Sequence, residues 1–205
     1  MKKFATLVMG LTAVFALTAC GKGTKVSEEQ FKEKAANIEE HQYSSASVKF
    51  SYSDVTKVEG KDDEKEEGKG TIEFTFSDGK WSTTSKDAFA SEASVYVNGN
   101  LKDLTASADI SGMLYGSLEG FDINTVYYTN PFGIESTIKG SGKVLGVETE
   151  MDSKAFYSFD KYGFITKFEE NSTSSSKLDA SIAGLNISGA KTTVVTKTNV
   201  TISYK

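Results

Sequence analysis

From Val48 onward the apolar residues recur mostly at every second position. Lys49 and Ser51 separate Val48, Phe50 and Tyr52, while Glu73 and Thr75 separate Ile72, Phe74 and Phe76. A period of two places one face of each segment inward and the other in water, which predicts half-exposed antiparallel strands. Further strand patterns cover residues 94–97, 125–129, 134–139, 143–152, 155–159, 164–170, 178–187 and 192–204. Ser77-Asp78-Gly79-Lys80 predicts a two-residue hairpin, and Asp160-Lys161-Tyr162-Gly163 a turn in which the glycine is free to take positive φ. Turns or loops are also expected at Gly140-Ser141-Gly142-Lys143, around Pro131, over the serine-rich stretch 171–176, and at a solvated hairpin tip spanning 59–70.

Two segments depart from that period. Ser27-Glu28-Glu29-Gln30 has the form of a capping box, with Val26 and Phe31 placed for a hydrophobic staple, and Phe31, Ala35 and Ile38 form one apolar stripe. A helix is expected from there to about residue 42. Over residues 101–121, Ile110, Leu114 and Leu118 follow a helical spacing and Met113 joins them, although Gly112 and Gly116 weaken the helix. The pattern as a whole predicts an α+β, β-rich chain with an N-terminal helix.

Ahead of all this stand Met1-Lys2-Lys3, an apolar run over residues 4–17, and then Leu17-Thr18-Ala19-Cys20-Gly21. The run is shorter than the ~20 residues needed to span a bilayer and has the charged leading residues of an export signal. Leu17-Thr18-Ala19-Cys20 closely resembles the lipobox of bacterial lipoproteins. That resemblance implies a diacylglyceryl thioether on Cys20 and cleavage between Ala19 and Cys20. Cys20 is the sole cysteine of the chain, so an unmodified exported thiol would have no disulfide partner. The expected organisation is a signal peptide over 1–19, a lipidated cysteine and short tether over 20–26, and a single domain over 27–205. The location expected is extracytoplasmic, anchored to a bacterial membrane through two acyl chains, since one chain holds only marginally.

Composition then narrows the chemistry. The net charge is −5, and loss of the leader's two lysines makes the remainder more acidic, which argues against nucleic acid as a partner. The chain contains no arginine and one histidine, His41. A Ser/His triad or a zinc centre therefore has too few of the required groups. The acidic run from Asp62 to Glu67 lacks the spacing of a calcium loop, and its interspersed lysines compete for the carboxylates. Glu148 and Glu150 share a strand face, as a glycosidase pair might, but among 28 acids such spacings arise by chance and a solvated sheet face is the favoured reading. No cofactor, no metal and no enzymatic activity are expected.

The order lipobox, tether, amphipathic helix, strands and apolar helical interruption is similar to that of the LolA/LolB carriers and the LppX/LprG lipoproteins. The resemblance implies a curved, half-barrel antiparallel sheet packed on a helical or loop plug, with a lipid or other hydrophobic ligand held between them. Phe50, Phe74, Phe76, Trp81, Met113, Leu114 and Leu118 become the candidate pocket residues. The alternative is a non-catalytic envelope module whose core is fully packed.

Overall fold

The alternation in the sequence runs through several of its apparent interruptions. A computed structural model describes residues 23–102, 120–144, 147–179 and 188–205. Its strands are β1 (Thr24–Val26), β2 (Ser45–Val58), β3 (Glu64–Ser77), β4 (Lys80–Ser82), β5 (Phe121–Thr129), β6 (Gly133–Val144), β7 (Val147–Phe159), β8 (Ile165–Asp179) and β9 (Ser188–Tyr204), and its helices are α1 (Glu28–Ala36) and α2 (Ala90–Asn98). All nine strands join one sheet in the order β1-β5-β6-β7-β8-β9-β2-β3-β4. Each pairing is antiparallel.

The α+β class expected from the sequence is therefore corrected. The described residues form a single large antiparallel sheet, open and half-barrel-like, with two short helices, and strand β1 precedes the first of them. The difference lies in strand length: β8 and β9 run for 15 and 17 residues and absorb positions that looked like turns. Gly140-Ser141-Gly142-Lys143 sits inside β6, paired residue for residue with 148–151. Asn171 to Ser176 lies inside β8, between β7 and β9, where ladders on both sides hold serines that have little strand preference of their own. Residues 94–97, expected as strand, belong to α2, and the tip expected over 59–70 shrinks because Glu64 onward pairs with β2. The helical plug expected over 101–121 falls largely outside the described residues.

Other local signals act as the sequence reads. Ser27 caps α1, with its hydroxyl accepting from the Gln30 N–H at 3.2 Å and the Gln30 side chain accepting from the Ser27 N–H at 3.1 Å. The helix ends at Ala36, earlier than expected. Asp78 and Gly79 both take positive φ in the β3–β4 hairpin, as does Gly163 in the β7–β8 turn.

One face of the sheet is buried and the other is wet. Ala46, Val48 and Phe50 of β2 point inward beside Ile72 and Phe74 of β3 and Val200 and Ile202 of β9, while Lys49 and Ser51 point to solvent. Helix α1 covers one flank of the inner face through Phe31, whose ring lies 5.1 Å from Tyr127 and 5.8 Å from Phe132. Helix α2 covers the middle with Ala93, Tyr96 and Val97. Phe31 is fully buried, so Phe31→Ala is expected to lower the unfolding free energy by about 3–5 kcal/mol, against about 1 kcal/mol for loss of the cap in Ser27→Ala. Urea denaturation of the two variants measures both.

Candidate functional site

The inner face changes character along its strands. In β2 the inward sequence runs Phe50, Tyr52, Asp54, and the register sets these opposite Val200, Thr198 and Thr196 of β9. In β8 it runs Phe168, Glu170, Ser172, opposite the same three residues of β9 from the other side. Apolar rings thus give way to acids and hydroxyls within two residues on adjacent strands. On these strands the end where β2 begins and β9 finishes is apolar inside and the interior turns polar toward the far end, whereas on β5–β7 Ile138 and Met151 form a second apolar cluster with Phe121 and Ile123.

The rings form a continuous band. Phe50 stacks on Phe89 at 4.4 Å, Tyr52 lies 5.8 Å from Phe89, and Tyr96 stacks on Phe168 at 4.8 Å, with Tyr157 4.8 Å from Phe168. Two glycines of β3 make room for it. A Cβ on Gly68 would stand 2.6 Å from the Tyr52 ring, and one on Gly70 would stand 3.0 Å from the Phe50 ring. These residues pair directly with Tyr52 and Phe50, so the rings lie flat over bare backbone.

Where the band ends, three carboxyl groups converge. Burial pushes Glu170 up to about 9, reinforced by the charges of Glu92 and Asp54 and opposed by its hydrogen bond to Thr198. Asp54 is also raised, first by burial and then by Glu66, against a hydrogen bond to Thr196, and its Oδ1 is buried without a hydrogen-bond partner. Glu92 stands on the exposed side of α2 and accepts from the Tyr96 hydroxyl at 3.1 Å. Burial raises Glu92 too, and Asp54 adds to the shift. At neutral pH the Glu170 carboxyl is consequently protonated and can donate a hydrogen bond as well as accept one.

The pocket residues expected from the sequence do not all meet there. Phe50, 4% exposed, and Phe74, 1% exposed, are members of the buried hydrophobic core. Phe76 and Trp81 pair in register across the β3–β4 hairpin, half-buried with their rings 5.2 Å apart, at the end of the sheet away from the carboxyls. Ala19, Cys20, Met113, Leu114 and Leu118 lie outside the described residues. His41 is exposed and stacked on Tyr162 at 4.0 Å. In the acidic loop Asp63 receives Lys57 at 2.7 Å, and on the outer face Glu148 and Glu150 pair with Lys143 and Lys191. Asp54, Glu92 and Glu170 were not among the residues singled out from sequence, although counting by two from Phe50 and Phe168 reaches the strand pair.

No family model and no curated protein matches the chain. A solved LolA superfamily protein of Nitrosomonas europaea aligns over 86% of this chain and 93% of its own at 8% identity, with a TM-score of 0.20. At that score the likeness decides nothing about this chain.

A carboxyl raised by folding is a liability that grows with pH. Glu170 keeps its proton in the fold up to about 9, whereas the unfolded chain releases it near the ordinary 4.5, so its contribution falls as pH climbs between those values. Glu170→Gln should flatten that decline and raise stability at pH 8 by up to about 5 kcal/mol, since about 3.5 units separate the ordinary 4.5 from pH 8 and each is worth at most ~1.4 kcal/mol. Denaturation of both chains at pH 5, 7 and 9 reads the slope, and parallel slopes would show that Glu170 is not the group responsible.

Proposed function

We propose that the protein is a non-catalytic envelope lipoprotein, tethered by acyl chains on Cys20, that holds a lipid or other amphiphile along the inner face of its sheet. The observation that carries this reading is the join between the aromatic band, buried between the sheet and α2, and the inward Asp54 and Glu170 carboxyls at its end, with Glu92 of α2 close enough to raise Glu170. The rings suit an acyl chain. Glu170, kept neutral by its surroundings, suits the hydroxyl, ester or amine of a headgroup without the cost of desolvating a fixed charge. The sheet is open, so a ligand placed there is reached from the side and need not enter a closed barrel.

The core burial of Phe50 and Phe74 favours a second reading, an envelope module with no hollow at its apolar end. The two readings part on ligand content. Residues 21–205, purified from a bacterial host without detergent, should carry about one extractable lipid per chain in native mass spectrometry. Glu170→Lys, which puts a fixed charge where the band ends, should reduce that occupancy at least tenfold, about 1.4 kcal/mol or more of binding. A bare mass, with no uptake of a fluorescent fatty acid, would select the packed module instead. Cys20→Ser in the full chain should abolish metabolic labelling with radioactive palmitate, and labelling that persists would remove Cys20 as the anchor.

A further inference from the structure

The tether leaves the domain at a fixed place. Thr24 pairs with Thr129, and just before it Gly23, at φ +83, passes so close to the backbone that a Cβ would stand 2.5 Å from the Pro131 carbonyl oxygen and 2.6 Å from that of Thr129. Only glycine fits there. Two residues, Gly21 and Lys22, separate Gly23 from Cys20, and the three Cα–Cα steps reach no more than ~11 Å. Whatever surface holds the Cys20 lipid thus lies close to the end of the sheet where β1 starts.

That end is the aromatic one. The register brings the start of β2, the end of β9, the β3–β4 hairpin and the β7–β8 turn to the same end as Gly23. On it Tyr162 stacks against His41 at 4.0 Å, Tyr43 stacks against Tyr204 at 4.9 Å, and Trp81 lies 5.9 Å from Tyr204 and 5.2 Å from Phe76. Phe132 links this ladder to the tether, because its carbonyl accepts from the Phe159 N–H at 2.9 Å, one residue before the Asp160 carboxylate that accepts from the Tyr43 hydroxyl at 2.7 Å. Tyr43, Phe76, Trp81, Tyr162 and Tyr204 are each half-buried, with the Tyr204 hydroxyl turned inward and that of Tyr43 held by Asp160. At the opposite end of the sheet the β2–β3 connection carries Asp62, Asp63, Glu64, Glu66 and Glu67.

We propose that the tether end of the sheet is a second membrane contact, with Tyr162 and Trp81, backed by Tyr43 and Tyr204, seated among the lipid headgroups of the bilayer that carries the Cys20 lipid. Amphipathic rings with an apolar body and a polar tip favour that layer. Lys80, Lys161 and Lys205 are exposed at the same end, but Glu39 and Glu40 precede His41 there, so the contact depends on ring insertion more than on net charge. The long strands then stand away from the membrane and the acidic tip points outward. This inference rests on the anchoring proposed above.

Trp81 is the sole tryptophan of the chain, which makes it a native probe. The full lipidated protein is reconstituted in phosphatidylcholine–phosphatidylglycerol vesicles whose acyl chains are brominated near the headgroup, and floated on a density gradient. Trp81 emission should fall at least twofold relative to unbrominated vesicles and remain so in 0.5 M salt. Tyr162→Ser, in the β7–β8 turn, should halve the quenching without changing the circular dichroism. A protein that floats with equal emission in both vesicles overturns the docking while leaving the anchor intact. A protein that does not float removes the anchor and this contact together. A Trp81 emission that shifts with protein concentration, before lipid is added, assigns the ladder to a second copy of the chain and overturns the membrane contact.

Discussion

The pairing of β2 with β9 is the constraint on which the remainder of the structure depends. It runs from Ala46 opposite Tyr204 to Val58 opposite Thr192, and it joins the β2–β3–β4 group to the six-stranded group running from β1 to β9. Without it the chain would present two smaller sheets, each with a long unpaired edge. The pairing also fixes which side of each group faces in. Because side chains alternate strictly, a slip of one residue would turn Phe50 and Tyr52 to solvent and bring Lys49 and Ser51 into the core. Burial of Val48, Phe50, Val200 and Ile202 on one side penalises that slip at several positions at once.

The same register explains why acids are tolerated inside. Asp54 and Glu170 are carried inward by the alternation that buries Phe50 and Phe168, and each finds a β9 threonine as its hydrogen-bond partner. Thr196 and Thr198 lie between them on one strand. A hydroxyl both donates and accepts, so it can serve a carboxyl in either protonation state. The site is a compromise in which folding energy from the ring band offsets the desolvation of groups that the fold would otherwise exclude.

How much of this was legible depended on whether the signal was local. The capping box at Ser27, the Asp78-Gly79 hairpin and the Asp160 turn are short-range chemistry and sit where the sequence places them. The alternation of β2 and β3 gave their inward faces directly. Strand ends were not legible, because Gly140, Gly142 and the serines of 172–176 have weak intrinsic preferences and become strand only through neighbours distant in sequence. Ser94 to Val97 misled for the reverse reason: the run is short and β-branched at two positions, but Ala90, Ala93 and Val97 share one helical face that packs inward. The carboxyl cluster was hidden because it is assembled from β2, α2 and β8, whose meeting no local motif announces.

The terminal strands β1 and β4 are only three residues long. Among the described residues, β1 covers β5 from Tyr127 to Thr129 and β4 covers β3 from Thr75 to Ser77, so most of the outward backbone of β5 and β3 has no strand beside it. On β3 that margin reads Glu64-Lys65-Glu66-Glu67-Gly68-Lys69, charged at nearly every position. Such a border repels the backbone of another chain seeking to extend the sheet. The acidic run that first reads as a loose loop is thus part of a charged sheet margin that disfavours strand addition.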